Sequence, residues 1–385
     1  MSAELRYAGD VKRVALAAVL SACANAQPGT GIDAPPGGGD GGGSGSATRC
    51  AAGQLATQIA QTGEVACAAA APALQGALDT SCSVYYGWRD GCDGCTTPPA
   101  KWGRVGGDSC VNGAGANNTC STHNLGGQSV TLFGLDPDGD VDGNDKLYSA
   151  LHCAATAPST VSTAPCKAGE FIDGKVGSTW TCAPVAVALV EYIHANCSLY
   201  VGWQDSCDGC QTQPAKWGFS AGPNCMNGAG GDNTCSTAML GTENVTLFGL
   251  NTDGDVDGND KLHIGLRCST PAPVTSMQTM GCPAGQFVVA TTSSGFECES
   301  LAPLAVQYFS EHCSITYGWR DGCSGCGGPP TKWGRVRVGG CDVGAGGDDT
   351  CTSFTLGGQS IVMFGLNPDG DVDDNDALYI GFQCR

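Results

Sequence analysis

The sequence predicts a mainly β protein: three tandem disulfide-rich antiparallel β-modules, each with a front hairpin, a short helix and a larger β-domain around an aspartate-rich loop. Three observations predict it. Glycine supplies 60 of 385 residues and only 14% are charged, a composition of short strands and tight turns and not of helical bundles. After Cys23, the 24 remaining cysteines fall into three sets of eight that begin at Cys50, Cys166 and Cys282. From the second cysteine of each set the spacings are identical, 15, 10, 3, 15, 10 and 33, so one unit of about 116 residues recurs three times. Finally, "LDPDGDVDGNDKLYSALHC" (135–153) returns as "LNTDGDVDGNDKLHIGLRC" (250–268) and "LNPDGDVDDNDALYIGFQC" (366–384).

Residues 1–23 form a leader. Basic Lys12 and Arg13 precede an apolar run from Val14 to Ala22, the order of a secretory signal and too short to span a bilayer. Leu20-Ser21-Ala22-Cys23 resembles a bacterial lipobox, which implies lipidation of Cys23; the rival is an Ala-x-Ala cleavage after Ala26 that releases the chain unlipidated. Either cut leaves an even number of cysteines. Residues 24–49 are a Gly/Pro-rich tether with nothing to bury. The modules follow at 50–153, 166–268 and 282–385, joined by Ser/Thr/Pro/Ala-rich linkers at 154–165 and 269–281 that should be extended and could carry O-linked glycan or add a strand to a neighbour.

Within each module the first cysteine pair brackets a hairpin pattern, as in "CPAGQFVVATTSSGFEC" (282–298), which predicts disulfides Cys50–Cys67, Cys166–Cys182 and Cys282–Cys298. The pairing of the other six cysteines per module stays open. In "APVAVALVEYIHANC" (183–197), Pro184 and apolar Val185, Leu189, Tyr192 and Ile193 favour a short helix over a buried strand. The rest alternates aromatic, β-branched and polar residues with frequent turn residues, the pattern of a compact antiparallel β-domain.

The three aspartate stretches hold 14 of the 37 acidic residues of a chain with net charge −19. That charge argues against binding nucleic acid, which needs a basic face, and it suits divalent cations. With Gly134 as position 1 of a twelve-residue loop, oxygen ligands fall at positions 3, 5, 9 and 12, a backbone carbonyl at 7 and glycine at 6, as an EF-hand-type Ca²⁺ loop requires. The pattern Asn/Asp-x-Asp-Gly-x-Val-Asp-x-x-Asp resembles the calcium loop of dockerin and related bacterial calcium repeats. The resemblance implies Ca²⁺, at least one per module. The expected ligands are Asp136, Asp138, Asp140, Asp142 and Asp145; Asn251, Asp253, Asp255, Asp257 and Asp260; and Asn367, Asp369, Asp371, Asp373 and Asp376. Two departures stand out: position 1 is Gly134, Gly249 or Gly365, and the flanks read as strands, giving a strand–loop–strand unit. The alternative is a solvated acidic turn.

Other motifs have bland readings. The CxxC pairs at 92/95, 207/210 and 323/326 match zinc half-sites or redox centres, but eight cysteines per module in an exported chain favour structural disulfides. Trp88, Trp102, Trp203, Trp217, Trp319 and Trp333, with Asp90, Asp205 and Asp321, could form a sugar-stacking platform; buried packing is the expectation. Lys101, Lys216 and Lys332 are expected to be solvated. The five histidines recur at no equivalent position, which excludes a repeated His-based site, and no repeated acid–base pair with a cleft is legible, so no enzyme is expected.

The whole chain resembles the cysteine-rich, calcium-binding repeat proteins of bacterial cell-surface fibres. That resemblance implies an extracellular structural protomer, a rod of three modules whose copies join head to tail, since the last module ends at Cys384-Arg385. The alternative is a lipid-anchored adhesin displaying three glycan- or protein-binding modules above the outer membrane, touching the membrane only through its anchor.

Overall fold

The computed structural model describes residues 49–384 apart from Asp93, 155–161, Ala168, Asp208, Gly209, Thr270, Cys323, Ser324, Cys326, Gly327 and Asp374. All described residues belong to one compact unit, Ser46–Arg385. The leader, Cys23 and nearly all of the tether lie outside them.

The first repeat runs β1 (Gln54–Ile59), β2 (Val65–Ala69), α1 (Ala71–Ser81), β3 (Cys82–Arg89), β4 (Lys101–Gly106), β5 (Ser109–Ala114), β6 (Thr119–Leu125), β7 (Gln128–Leu135) and β8 (Lys146–Cys153). The first linker supplies β9 (Ser162–Thr163). The second repeat continues with β10 (Glu170–Val176), β11 (Thr179–Pro184), α2 (Val185–Asn196), β12 (Cys197–Gln204), β13 (Lys216–Ala221), β14 (Asn224–Ala229), β15 (Thr234–Leu240), β16 (Glu243–Leu250) and β17 (Lys261–Cys268). The second linker supplies β18 (Thr275–Gln278). The third repeat holds β19 (Gln286–Thr292), β20 (Gly295–Ser300), α3 (Ala302–His312), β21 (Cys313–Arg320), β22 (Lys332–Arg337), β23 (Gly340–Ala345), β24 (Thr350–Leu356), β25 (Gln359–Leu366) and β26 (Ala377–Cys384). The fold is thus a disulfide-rich antiparallel β structure in which three short helices follow three front hairpins.

Each helix begins at a proline, where a missing N–H costs no hydrogen bond: Pro72 and Pro303 lie in the first turns of α1 and α3, and Pro184 caps α2. Val185, Leu189 and Ile193 are buried, and the three helices pack on one another. The linker strands β9 and β18 pair with the second strand of the hairpin that follows each of them.

The repeats do not sit in a row. Each six-stranded sheet contains four strands of one repeat and a hairpin from another: β15-β16-β8-β3-β4-β5, β14-β13-β12-β17-β25-β24 and β23-β22-β21-β26-β7-β6. Repeat 2 gives its hairpin to repeat 1, repeat 3 to repeat 2, and repeat 1 to repeat 3. The register fixes each exchange, with Gly249 opposite Tyr148, Gly365 opposite His263 and Gly134 opposite Tyr379. The hairpin that leaves its own sheet is tied at its base, because Cys110–Cys120, Cys225–Cys235 and Cys341–Cys351 each link the edge strand of one sheet to the edge strand of another.

Two further cycles close in the same direction. At the hairpins, the N–H groups of Cys50, Cys166 and Cys282 donate to the carbonyls of Val289, Thr57 and Asp173 of the preceding repeat, at 2.7, 3.0 and 2.7 Å. At the aspartate loops, Val141 donates to Val372, Val256 to Val141 and Val372 to Val256, each at 2.8 Å. The rod of three separate modules expected from periodicity is therefore corrected to a closed, pseudo-threefold ring. Periodicity reveals that a unit recurs, but not which copy receives its hairpin.

One close approach shows how the sheets meet. A Cβ on Gly103 would lie 2.1 Å from the Phe133 ring, and Gly218 and Gly334 face Phe248 and Phe364 in the same way, so only glycine admits the buried phenylalanine there. The strand pair at each repeat's centre is stapled by Cys82–Cys153, Cys197–Cys268 and Cys313–Cys384, residues directly opposite in register. Each such bridge closes a long loop, and removing a native disulfide typically costs about 2–5 kcal/mol.

Candidate functional site

Strand β3 carries the chain from the end of α1, at Cys82, to the aspartate loop, where Arg89 pairs with Lys146. The loops of all three repeats therefore gather at the end of the sheets away from the helices, around the valine cycle. Each loop folds locally in the same way. Asp142 Oδ1 accepts the Asn144 N–H at 2.8 Å, and the Asp145 N–H donates to the Asp142 carbonyl at 3.0 Å. Asp145, Asp260 and Asp376 turn inward, are buried, and accept the N–H of Gly91, Ser206 and Gly322 at 2.9, 2.9 and 3.0 Å. They pin the CxxC turn to the acidic loop.

These three carboxyls are pushed up to about 6. Burial is the main cause, opposed by the backbone N–H donors and reinforced by negative neighbours: Asp142 and Asp90, Asp257 and Asp205, Asp373 and Asp321. Asp90, Asp205 and Asp321, grouped in sequence with the tryptophans, thus belong to the acidic site. The missed signal was their recurrence at one position just before each CxxC turn.

The expectation of solvated lysines is corrected. Lys101, Lys216 and Lys332 are buried at the starts of β4, β13 and β22, because the register that sets them opposite Trp88, Trp203 and Trp319 lays their stems on the core. Lys101 Nζ meets Asp136 Oδ1 at 3.0 Å and Asp138 at 2.5 Å. Lys216 donates to Asn251 Oδ1 at 3.0 Å and pairs with Asp253, and Lys332 pairs with Asp369 at 2.5 Å. An ammonium of the chain itself therefore sits on loop positions 3 and 5 in repeats 1 and 2, and on position 5 in repeat 3.

The loop carboxylates also share one opening, the buried Asp260 among them. In repeat 2, Asp205, Asp253, Asp255, Asp257 and Asp260 line an open concavity of about 520 Å³ beside Trp203. Positions 5, 7, 9 and 12 of the expected loop are brought together there, and position 3 (Asn251) is not. Among the described residues no group of three or more His, Cys, Asp or Glu side chains is arranged to hold a metal ion. The donors are hard oxygens of the kind Ca²⁺ takes, but the twelve-residue register does not converge as a single cage, because position 3 points inward, to the lysine in repeats 1 and 2.

The tryptophans divide. Trp88, Trp203 and Trp319 are buried and form no exposed platform, and their indole N–H groups have no partner. Trp102 stacks on Tyr85 and Trp217 on Tyr200. The CxxC cysteines are bonded as Cys92–Cys95 and Cys207–Cys210; Cys323 and Cys326 lie outside the described residues. The hairpin pairs Cys50–Cys67, Cys166–Cys182 and Cys282–Cys298 are each bonded with Cα atoms 5.7 Å apart.

The chain matches no protein-family model, no curated protein and no solved structure. Its disulfides place the folded protein in an oxidising compartment outside the cytoplasm. No helix among the described residues is long and apolar enough to cross a membrane.

Proposed function

We propose that the chain is an extracellular structural protein of a bacterial surface, a disulfide-hardened unit that binds Ca²⁺ in its acidic concavities and builds a filament or fibre from copies of itself. One observation carries this reading: the third repeat receives the hairpin of the first although no linker joins them. Contacts of that kind form equally well between two molecules, which turns a closed ring into a head-to-tail chain by exchange of one element. The concavity lined by Asp205, Asp255, Asp257 and Asp260 supports cation binding, because clustered carboxylates repel unless a cation offsets them.

A second reading is favoured by the closure itself. A ring that satisfies every donated hairpin internally suits a monomer displayed on a tether, with the concavities open to a glycan or protein. Electron microscopy and light scattering of the mature protein, in Ca²⁺ and then in chelator, separate the two. Ordered fibres that fray in chelator support the structural filament; discrete monomers in both conditions overturn it and leave the tethered display unit.

A further inference from the structure

The three seams between repeats use equivalent residues, so their differences can be read directly. Where repeat 2 meets repeat 1, Asn251 Nδ2 donates to the carbonyls of Gly143 and Asp145 at 3.1 and 3.2 Å. Beside it the fully buried Lys146 ammonium donates to the carbonyls of Asp232 and Cys95 at 2.6 and 3.3 Å. Where repeat 3 meets repeat 2, Asn367 Nδ2 donates to the Asp260 carbonyl and buried Lys261 to the Cys210 carbonyl, both at 3.0 Å.

The closing seam differs at both positions. Asp136 stands where the other seams have asparagine, and Ala377 where they have lysine. Asp136 is 1% exposed; Lys101 engages its Oδ1, and its Oδ2 is buried without a partner. An acceptor oxygen thus occupies the place of an N–H donor whose counterparts address the carbonyls of the next acidic loop. The seam has gained a carboxylate and lost a buried ammonium. An unpaired carboxylate oxygen in that setting is expensive.

We propose that a Ca²⁺ ion binds at this closing seam, held by Asp136 Oδ2 together with the backbone carbonyl of Asp376, the counterpart of the Asp145 and Asp260 carbonyls that the amides address at the other seams. It supplies the positive charge that Lys146 and Lys261 supply at the other seams, and it ties together the two repeats that no linker joins. Carboxylate and carbonyl oxygens are the ligands a hard cation takes. This ion is distinct from those proposed for the concavities and does not rest on them.

The test uses the full mature chain and Ca²⁺ alone as probe. Calorimetric stoichiometry is measured for the wild type, Asp136→Asn, Ala377→Lys and Asp205→Asn, with amide exchange of β7 and β26 followed in Ca²⁺ and in chelator. Asp136→Asn restores the amide of the other seams, and Ala377→Lys restores their ammonium from the opposite wall. Each should bind one Ca²⁺ fewer per chain than the wild type, and exchange in β7 and β26 should no longer respond to chelator. Asp205→Asn, in a concavity, should leave that response intact. The proposal is overturned if both seam variants bind as many ions as the wild type, or if wild-type exchange in β7 and β26 ignores Ca²⁺. A wild type that binds a single ion, lost in Asp136→Asn, would sink the concavity sites and keep this one.

Discussion

Two of the ring's three seams are crossed by the chain and one is not, and the comparison shows what a linker is worth. At the crossed seams, repeats 1 and 2 and repeats 2 and 3 are held at high effective concentration, so hairpin exchange is a local event. The closing seam must find its partner by its own contacts. Its strand register gives it no advantage: β26 and β7 share three paired residues, as many as β16 and β8 at one crossed seam and one fewer than β17 and β25 at the other. It adds a buried hydrogen bond of 2.7 Å between the hydroxyls of Tyr86 and Tyr317, where repeat 2 has Val201. The ion pair of Arg49 with Glu297 also spans it, but that arginine is half exposed and such pairs contribute under about 1 kcal/mol. A seam without a linker is therefore where a single charge change matters most.

The largest expected contrast uses the same substitution twice. Lys101→Met strands the buried Asp136 carboxylate beside Asp138, and breaking one half of a buried pair costs about 3–5 kcal/mol. Lys216→Met strands only the neutral amide of Asn251, since the Asp253 side chain is 61% exposed; the loss should be about 1–2 kcal/mol. Urea melts in chelator measure both. Equal losses would mean that Asp136 is not a charged seam residue.

A steric pair comes next. A Cβ at Gly134 would lie 2.7 Å from Thr119 Oγ1 and 3.0 Å from the Tyr379 ring; at Gly365 it would lie 2.8 Å from Thr350 Oγ1 and 3.1 Å from the His263 ring. Valine at either site overpacks a seam by about 1–3 kcal/mol. Only Gly134→Val acts where no linker holds the partners, so its amide exchange in β7 and β26 should rise well beyond that of β17 and β25 in Gly365→Val. Comparable exchange in the two variants would show that the linkers do not matter.

How much of this was legible follows from which interactions leave a local trace. Strand alternation, the proline-led helix after each hairpin and the cysteine brackets are local, and they gave the β class and element order. The hairpin exchange leaves none, because β7 carries the same "TLFGL" pattern whether it joins its own sheet or another. In the acidic loop, carboxylates at positions 5, 7, 9 and 12 share a concavity, as a loop spacing can suggest. Position 3 turned inward because Lys101, some 35 residues earlier, reaches it. The recurrence of Lys-Trp-Gly in all three repeats was the available signal for that lysine.

The seam between repeats 3 and 2 carries its own departures, and they titrate in opposite directions. His263 stands where Tyr148 and Tyr379 donate to the carbonyls of Thr97 and Gly328 at 2.8 and 3.0 Å. Both its ring nitrogens are buried without partners, and burial, with Lys261 adding to it, lowers its pKa to about 3. The unfolded chain then takes up a proton below about pH 6.5 that the folded chain refuses, so stability falls with pH, by about 2 kcal/mol at pH 5. His263→Tyr should remove that acid sensitivity in melts between pH 7.5 and 5; a variant as acid-sensitive as the wild type would exonerate the histidine.

Asp349 has the opposite sign. It replaces Asn118 and Asn233, whose Nδ2 groups donate to the carbonyls of Ala114 and Ala229 at 2.6 Å, and its own Oδ2 is buried without a partner. Burial raises its pKa to about 6, against the pull of the Asn367 N–H and of Lys332 and Lys261. A carboxyl whose folded pKa is raised loses stability as pH climbs from the unfolded value near 4 through 6, and the loss is complete above that. Asp349→Asn restores the donor and should stabilise the protein by about 1–2 kcal/mol at pH 7.5, a gain that shrinks as pH falls toward 4. Because acid relieves Asp349 while it burdens His263, the double variant should flatten the pH profile of this seam from both sides. A gain in Asp349→Asn that did not vary with pH would mean that the amide acts by packing alone.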